Sequence, residues 1–262
     1  MRRQVLFMKK VFILTYCRKP ELLYGTTLIF KTLRAGFPTA EVNVVDNNSV
    51  QEVRPVLRDL AEKNGCNYFQ LDGPGATSHP MFIRRTVFGE TEGTVIFLDP
   101  DILLWEDCEN WSFNRLMAGR LIPKFRDEFS GCITMSRLHT SFLWIEDVGQ
   151  LRQRIQTIKS RYFDYNPFSP YVFKSGLDWY RFDTGANLYS SIKEDVFCFG
   201  EKELNSYDHL FCGSHIDLVI NSLDEKSREN FVWSHGCAAD DYKQLKGIWK
   251  QQEVFFRKRM VD

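Results

Sequence analysis

The first hundred residues contain four short apolar runs, each ending in polar residues, with helically spaced stretches between them. That alternation leaves few folds open. Val11-Phe-Ile-Leu-Thr15 reads as a strand buried on both faces. Pro20 then suits a first helical turn, Leu22, Thr26, Ile29, Phe30 and Leu33 recur at helical spacing, and Gly36 closes the helix. Glu41-Val-Asn-Val-Val45 is a second strand. Val53, Leu57, Leu60 and Ala61 mark a second helix that stops at Gly65, and residues 67–71 form a third strand. Residues 73–80 are a loop by their Gly, Pro and Ser content, Ile83, Val87 and Phe88 mark a third helix, and Thr94-Val-Ile-Phe-Leu98 is a fourth strand. Short connections between such units predict βαβ crossovers, an α/β fold and a parallel sheet with helices on both faces.

Ligands of such sheets sit at the carboxyl ends of the strands. Three of those ends carry polar clusters here: Thr15-Tyr16, Asp46-Asn-Asn-Ser49 and Asp99-Pro-Asp101. After residue 105 the regularity fades. Strands are expected at 131–135 and 140–145. A helix is expected from the stripe Val148, Leu151, Ile155, Ile158 and Tyr162, then an aromatic, Pro-rich loop over 162–180 and a strand over 186–190. No repeat or linker divides the chain. The reading is one domain over 1–262, with a ligand-binding half at 9–107 and a second half at 108–262.

Composition narrows the function classes. Lys plus Arg and Asp plus Glu each number 34, so the formal net charge is zero and no basic surplus exists to grip nucleic acid. Seven cysteines, odd in number and without a C-x-x-C pair, argue for reduced thiols and a cytoplasmic location. No apolar run reaches the length of a membrane span, and the basic-then-apolar start lacks the small-residue cleavage site of a leader. Residues 240–260 pattern as an amphipathic helix with Lys and Arg flanking aromatics. Docking on its own domain is the ordinary fate of such a helix, and peripheral membrane contact is the alternative.

The Asp-Pro-Asp element carries the most chemistry. Residues two apart in extended chain point the same way, so Asp99 and Asp101 present two carboxylates to one spot, while Pro100 ends the ladder. Hard oxygen donors of this kind suit Mg²⁺ or Mn²⁺ bridging to phosphate.

Phe12-Ile-Leu-Thr-Tyr16, Val44-Val-Asp-Asn-Asn-Ser49 and Val95-Ile-Phe-Leu-Asp-Pro-Asp101 stand in the order and spacing of glycosyltransferases of the GT-A fold, which the first 95 or so residues resemble. The resemblance implies a Rossmann-like nucleotide-binding half with a mixed central sheet, fused to an acceptor-binding half. It implies a metal-dependent transferase moving a sugar from a nucleotide-sugar, a UDP-sugar first and a GDP-sugar second, to a hydroxyl of a glycan, lipid-linked or protein acceptor. Thr15 and Tyr16 would lie by the ribose and base, Asp46 and Asn48 would contact the base or ribose, and Asp99 would approach the ribose or the metal that Asp101 ligates. Such enzymes often add a C-terminal histidine to the metal, which His235 in Trp233-Ser-His-Gly236 would supply, with His215 as rival.

Arg84, beside Arg85, is a candidate for the diphosphate, and His79 a weaker one; a solvated helix face is the plain alternative. His139 and His209 read as structural or acceptor-side. For an inverting mechanism the base candidates are Asp183, in Phe182-Asp-Thr-Gly185, then Asp208, then Glu128. A non-catalytic nucleotide-sugar-binding protein of the same fold is the leading alternative. A haloacid-dehalogenase-type phosphotransferase fits poorly, because its Asp-x-Asp follows the first strand and precedes a Thr where this chain has Leu103. A dehydrogenase is set aside, because Gly73-Pro-Gly-Ala is not G-x-G-x-x-G and does not follow the first strand.

Overall fold

A computed structural model describes residues 9–209, apart from 72, 74, 91, 128–129 and 159–165. His215, His235, Glu128, Tyr162 and the 240–260 stretch lie outside the described residues. The chain runs through β1 (Lys10–Thr15), α1 (Leu23–Thr27), α2 (Leu33–Gly36), β2 (Glu41–Asp46), α3 (Arg54–Lys63), β3 (Asn67–Gln70), α4 (His79–Gly89), β4 (Val95–Leu98) and β5 (Ile102–Leu104). It continues through β6 (Met117–Ile122), β7 (Phe125–Arg126), β8 (Ile133–Thr134), β9 (Arg137–Ile145), α5 (Val148–Thr157), β10 (Tyr171–Ser175) and β11 (Asp178–Phe182). The last elements among the described residues are α6 (Ala186–Ile192), β12 (Val196–Cys198), α7 (Glu201–Asn205) and β13 (Tyr207–His209).

The fold is mixed α/β around a seven-stranded sheet in the order β12-β6-β9-β4-β1-β2-β3. β4, β1, β2 and β3 are parallel, as the alternation predicts, whereas β9 runs antiparallel to both β4 and β6 and makes the sheet mixed. β4 lies between β1 and β9 with all four residues buried, which is why its sequence is continuously apolar. One face packs Val11, Ile13, Val44 and Ile96 against Ile29, Leu33, Phe37 and Ala61. The other packs Val95, Phe97, Leu143 and Ile145 against Phe82, Val87, Leu151 and Leu188. Among the described residues no helix is long and apolar enough to cross a membrane.

The helix expected from Pro20 to Gly36 is broken into α1 and α2 with 3₁₀ turns at Pro20–Leu22 and Leu28–Lys31. Thr26 and Thr27 turn their hydroxyls back onto the Leu22 and Leu23 carbonyls, which competes with regular helix. Tertiary bonds complete the break: the Ile29 amide donates to the Pro100 carbonyl at 3.0 Å, and the Thr32 hydroxyl accepts from the Leu104 amide at 2.8 Å. The irregular segment thus buttresses the turn between Asp99 and β5.

Three further expectations differ from the structure. Residues 186–190 are helix α6, because Gly185 at φ 76° starts a helical turn whose Leu188 and Ile192 pack in the core. Residues 162–180 contain the hairpin β10–β11, whose period-two aromatics are masked by the neighbouring prolines. Of residues 131–135 only Ile133–Thr134 are strand, and they join a separate sheet in the order β10-β11-β8-β7.

β5 and β13 form a two-stranded antiparallel sheet in which Leu104, Leu103 and Ile102 oppose Tyr207, Asp208 and His209. A Cβ on Gly36 would stand 2.8 Å from the Leu104 Cβ, too close for Leu104 to relieve by turning its side chain. Gly36→Ala is therefore expected to cost about 2 kcal/mol and lower the melting temperature by roughly 5 °C, measured by differential scanning calorimetry.

Candidate metal and nucleotide site

β1, β2 and β4 are parallel neighbours, so their carboxyl ends open on one side of the sheet. A cavity of about 350 Å³ lies there, lined by Leu14, Tyr16, Asn47, Thr77, His79, Asp99 and Asp101 among others. Its far wall is the loop before α4. The Asn47 carboxamide holds that wall, donating to the Thr77 carbonyl at 2.8 Å and accepting from the Thr77 amide at 2.6 Å.

Asp46 and Asn48, on either side of Asn47, are engaged in the turn itself. Asp46 is fully buried; its Oδ1 accepts from the Ser49 amide at 2.9 Å and its Oδ2 from the Tyr68 hydroxyl at 2.9 Å, with Arg54 Nε at 3.8 Å. Burial, with the Asp46 carboxylate beside it, pushes the Tyr68 phenol far up, so it stays a donor. Asn48 takes φ 67°, which Asn tolerates, and accepts from Arg54 Nη2 at 2.7 Å. Thr15 is buried with its hydroxyl toward the Val45 carbonyl at 3.4 Å, and Tyr16 faces the cavity. Arg84 is partly buried on α4 with its guanidinium over the Phe88 ring at 5.3 Å, and Arg85 is exposed.

Asp99 and Asp101 are joined by His209, whose sequence reading is structural or acceptor-side. His209 Nε2 lies 3.3 Å from Asp101 Oδ1 and 3.9 Å from Asp99 Oδ2. One ligand atom from each of the three falls within 4.8 Å of the others. Two carboxylates and an imidazole are a donor set for a divalent ion, whose opposed ligands stand about 4 Å apart, so the residues fit such an ion. His79 Nε2 flanks Asp99 on the cavity side at 3.9 Å. Burial drives the Asp99 carboxyl above its ordinary range; His79 and His209 pull it back, and Asp101 pushes it further up. A cation would relieve the crowding of those two acids.

No local pattern announces His209. It reaches the acids because β13 pairs with β5, the strand that directly follows Asp101. The ladder is anchored by Tyr207, packed on Phe142 at 5.0 Å, and by the Trp105 amide donating to the Ser206 carbonyl at 2.8 Å. Asp208, on the opposite face of that strand, is buried and accepts from the Trp105 indole at 2.8 Å. His139 on β9 packs edge-on against His209 with centroids 5.1 Å apart, its Nδ1 2.6 Å from the Ser141 hydroxyl. The Ser141 carbonyl in turn accepts from the Asp99 amide at 2.8 Å. Asp183, partly exposed ahead of α6, pairs with Arg137 Nη2 at 2.8 Å, two residues before His139 in the chain.

No known protein-family profile matches the chain, and no curated protein matches it in sequence. Among solved structures it is similar to the glycosyltransferase GlyE of Streptococcus pneumoniae TIGR4, at 13% identity and TM-score 0.43 over 75% of this chain and 46% of that one. It is similar also to the mannosyltransferase PcManGT of Pyrobaculum calidifontis, solved with GDP-Man and Mn²⁺, at 14% identity and TM-score 0.39 over 59% and 48%. A third is the nucleoside-diphosphate-sugar pyrophosphorylase of Vibrio cholerae RC9, at 10% identity and TM-score 0.41 over 80% and 99%. The chain spans about half the length of the first two. Each likeness covers part of the fold, at identities too low to carry a function across.

Proposed function

We propose that this chain is a metal-dependent glycosyltransferase that moves a sugar from a nucleotide-sugar, a UDP-sugar first and a GDP-sugar second, to a hydroxyl acceptor. The observation that carries the reading is one cavity lined by Asp99, Asp101, Tyr16, Asn47 and Thr77, with His209 meeting the two acids to complete a three-donor cluster. Asp99, Asp101 and His209 would hold the ion, and the imidazole favours Mn²⁺ over Mg²⁺. Bound there, the ion would neutralise charge on a departing diphosphate.

The chain's own residues do the rest. The Tyr16 ring and Leu14 offer apolar surface to a base, and Asn47 fixes the loop wall opposite. His79, between that wall and Asp99, is placed to donate to a phosphate oxygen. Neither base candidate lines the cavity; Asp208 is buried on the Trp105 indole, and Asp183, partly exposed and paired with Arg137, is the one an acceptor hydroxyl could reach from solvent. A cytoplasmic setting goes with this reading, supported by the odd number of cysteines, seven, and the lack of a C-x-x-C pair.

The test is a thermal-shift screen of UDP, GDP and their sugars with and without Mn²⁺, followed by assay of nucleotide release. A nucleotide at a hundred times its Kd adds about 2.7 kcal/mol, a shift of roughly 5–10 °C, expected only with metal. No metal-dependent shift with any nucleotide would overturn the reading, and a shift without turnover would favour the non-catalytic binding protein.

A further inference from the structure

Asp99 follows β4 and Asp101 precedes β5, so the backbone of both acids is set by strands on either side of them. The β4–β9 ladder pairs Leu98 with Phe142 and then runs one step further, because the Asp99 amide donates to the Ser141 carbonyl at 2.8 Å. His209 reaches the acids from β13, opposite Ile102. Strand pairing places its backbone but not its ring. The torsion that turns an imidazole is broad and soft, and it decides whether Nε2 faces the carboxylates.

A residue of β9 meets that ring. His139 packs edge-on against His209, with centroids 5.1 Å apart and ring planes at 60°. The His209 side chain is only 9% exposed, and His139 is half-buried. His139 is fixed in turn by Ser141, which is buried two residues along the same strand, where side chains return to the same face. Its Nδ1 lies 2.6 Å from the Ser141 hydroxyl oxygen and accepts from the Ser141 amide at 3.2 Å. Ser141 thus serves both kinds of donor: its carbonyl seats the Asp99 backbone, and its hydroxyl and amide seat the ring that bears on His209. The donor atoms gathered within 4.8 Å come from Asp99, Asp101 and His209, while the His139 Nδ1 is committed to Ser141.

We propose that His139 is a positioning residue for the metal site: clamped by Ser141, it holds the His209 ring in the plane from which Nε2 completes the donor set of Asp99 and Asp101. This role rests on the metal-dependent reading above. Ligating histidines are ordinarily oriented by a partner behind the ring, and loss of that partner weakens metal binding by about 10–100-fold. Here the partner is an aromatic edge, an arrangement that favours one relative tilt of the two rings, and β9 carries both that edge and the register of Asp99.

Mn²⁺ binding to the full chain without nucleotide tests it, titrated by electron paramagnetic resonance, with electron spin-echo modulation reporting a coordinated imidazole nitrogen. Wild type is expected to bind Mn²⁺ with nitrogen modulation, and His209→Ala to lose that modulation. His139→Asn keeps an acceptor for Ser141 and removes the ring; it should weaken Mn²⁺ binding about tenfold or more and reduce the modulation. His139→Phe restores a ring edge and should recover most of both. Ser141→Ala cuts one of the two bonds on His139 and should move both readings the same way by less. Melting temperatures in EDTA near that of wild type show that the variants are folded. Wild-type affinity and modulation in His139→Asn and Ser141→Ala overturn the proposal. So does an equal loss in His139→Phe and His139→Asn, or nitrogen modulation that persists in His209→Ala. A wild-type chain that takes up no Mn²⁺ overturns the metal-dependent reading and this role together, whereas uptake indifferent to His139 overturns this role alone.

Discussion

Asp101→Ala is expected to abolish Mn²⁺-dependent stabilisation by nucleotides and to lower nucleotide-sugar turnover by on the order of 10³ or more, without lowering the melting temperature in EDTA. The two halves of this result have one cause. Asp101 is buried beside Asp99, and its charge helps to hold the Asp99 carboxyl above its ordinary range. Removing it takes away a like charge as well as an ion pair, and His209 still has Asp99 Oδ2 at 3.9 Å. Stability without metal should therefore be equal or higher, while the donor set falls from three to two. Asp101→Asn should behave in the same way, because an amide keeps the shape and loses the charge. Scanning fluorimetry with Mn²⁺ and with EDTA, together with a nucleotide-release assay, reads both halves. Full turnover in Asp101→Ala would remove the site from the chemistry altogether.

Asp46→Ala should do the reverse, damaging stability first. The carboxylate is fully buried and accepts from the Ser49 amide and the Tyr68 hydroxyl, with Arg54 close by. Truncation strands a buried amide and a hydroxyl and leaves Arg54 short of its counter-charge. Hydrogen bonds to charged groups are worth about 1.5–3 kcal/mol each, so a loss of about 3–5 kcal/mol is expected, a fall of roughly 10 °C or more in melting temperature. The Ser49 hydroxyl ties the same turn to the Cys17 amide at 2.8 Å, so the ends of β1 and β2 should loosen together. An Asp46→Ala variant that melts like wild type and loses only nucleotide affinity would instead give this residue the base- or ribose-contacting role that the resemblance implies.

The parts of the fold that were legible in the sequence are those governed by local periodicity. β1, β2 and β4 read as strands because each is apolar through both faces of a central sheet, and α3, α4 and α5 because each presents a striped face. Asp99 and Asp101 were legible for the same reason, since two residues beyond a buried strand the alternation still governs where side chains go. The segment from Pro20 to Gly36 was not, because Pro100 and Leu104 decide its bonding from the next layer. Helix α6 was missed because its apolar residues serve β9 across the sheet, and over five residues a helical and a strand pattern look alike. His209 is the clearest case: a three-residue strand has no period to detect, and its place is set by pairing with a strand far back in the chain.

That pairing makes the three metal donors unequal. Asp99 and Asp101 flank the junction of two fully buried strands, β4 and β5, whereas His209 depends on a ladder of three residue pairs. Peeling β13 back would uncover the buried Tyr207 and Asp208, yet it leaves the seven strands of the large sheet paired. For an ion bound there, the acids would be the fixed members of the ligand set and the imidazole the member set by strand pairing. Exchange of an ion bound there would be expected to track the opening of β13, which hydrogen exchange at its backbone amides can read.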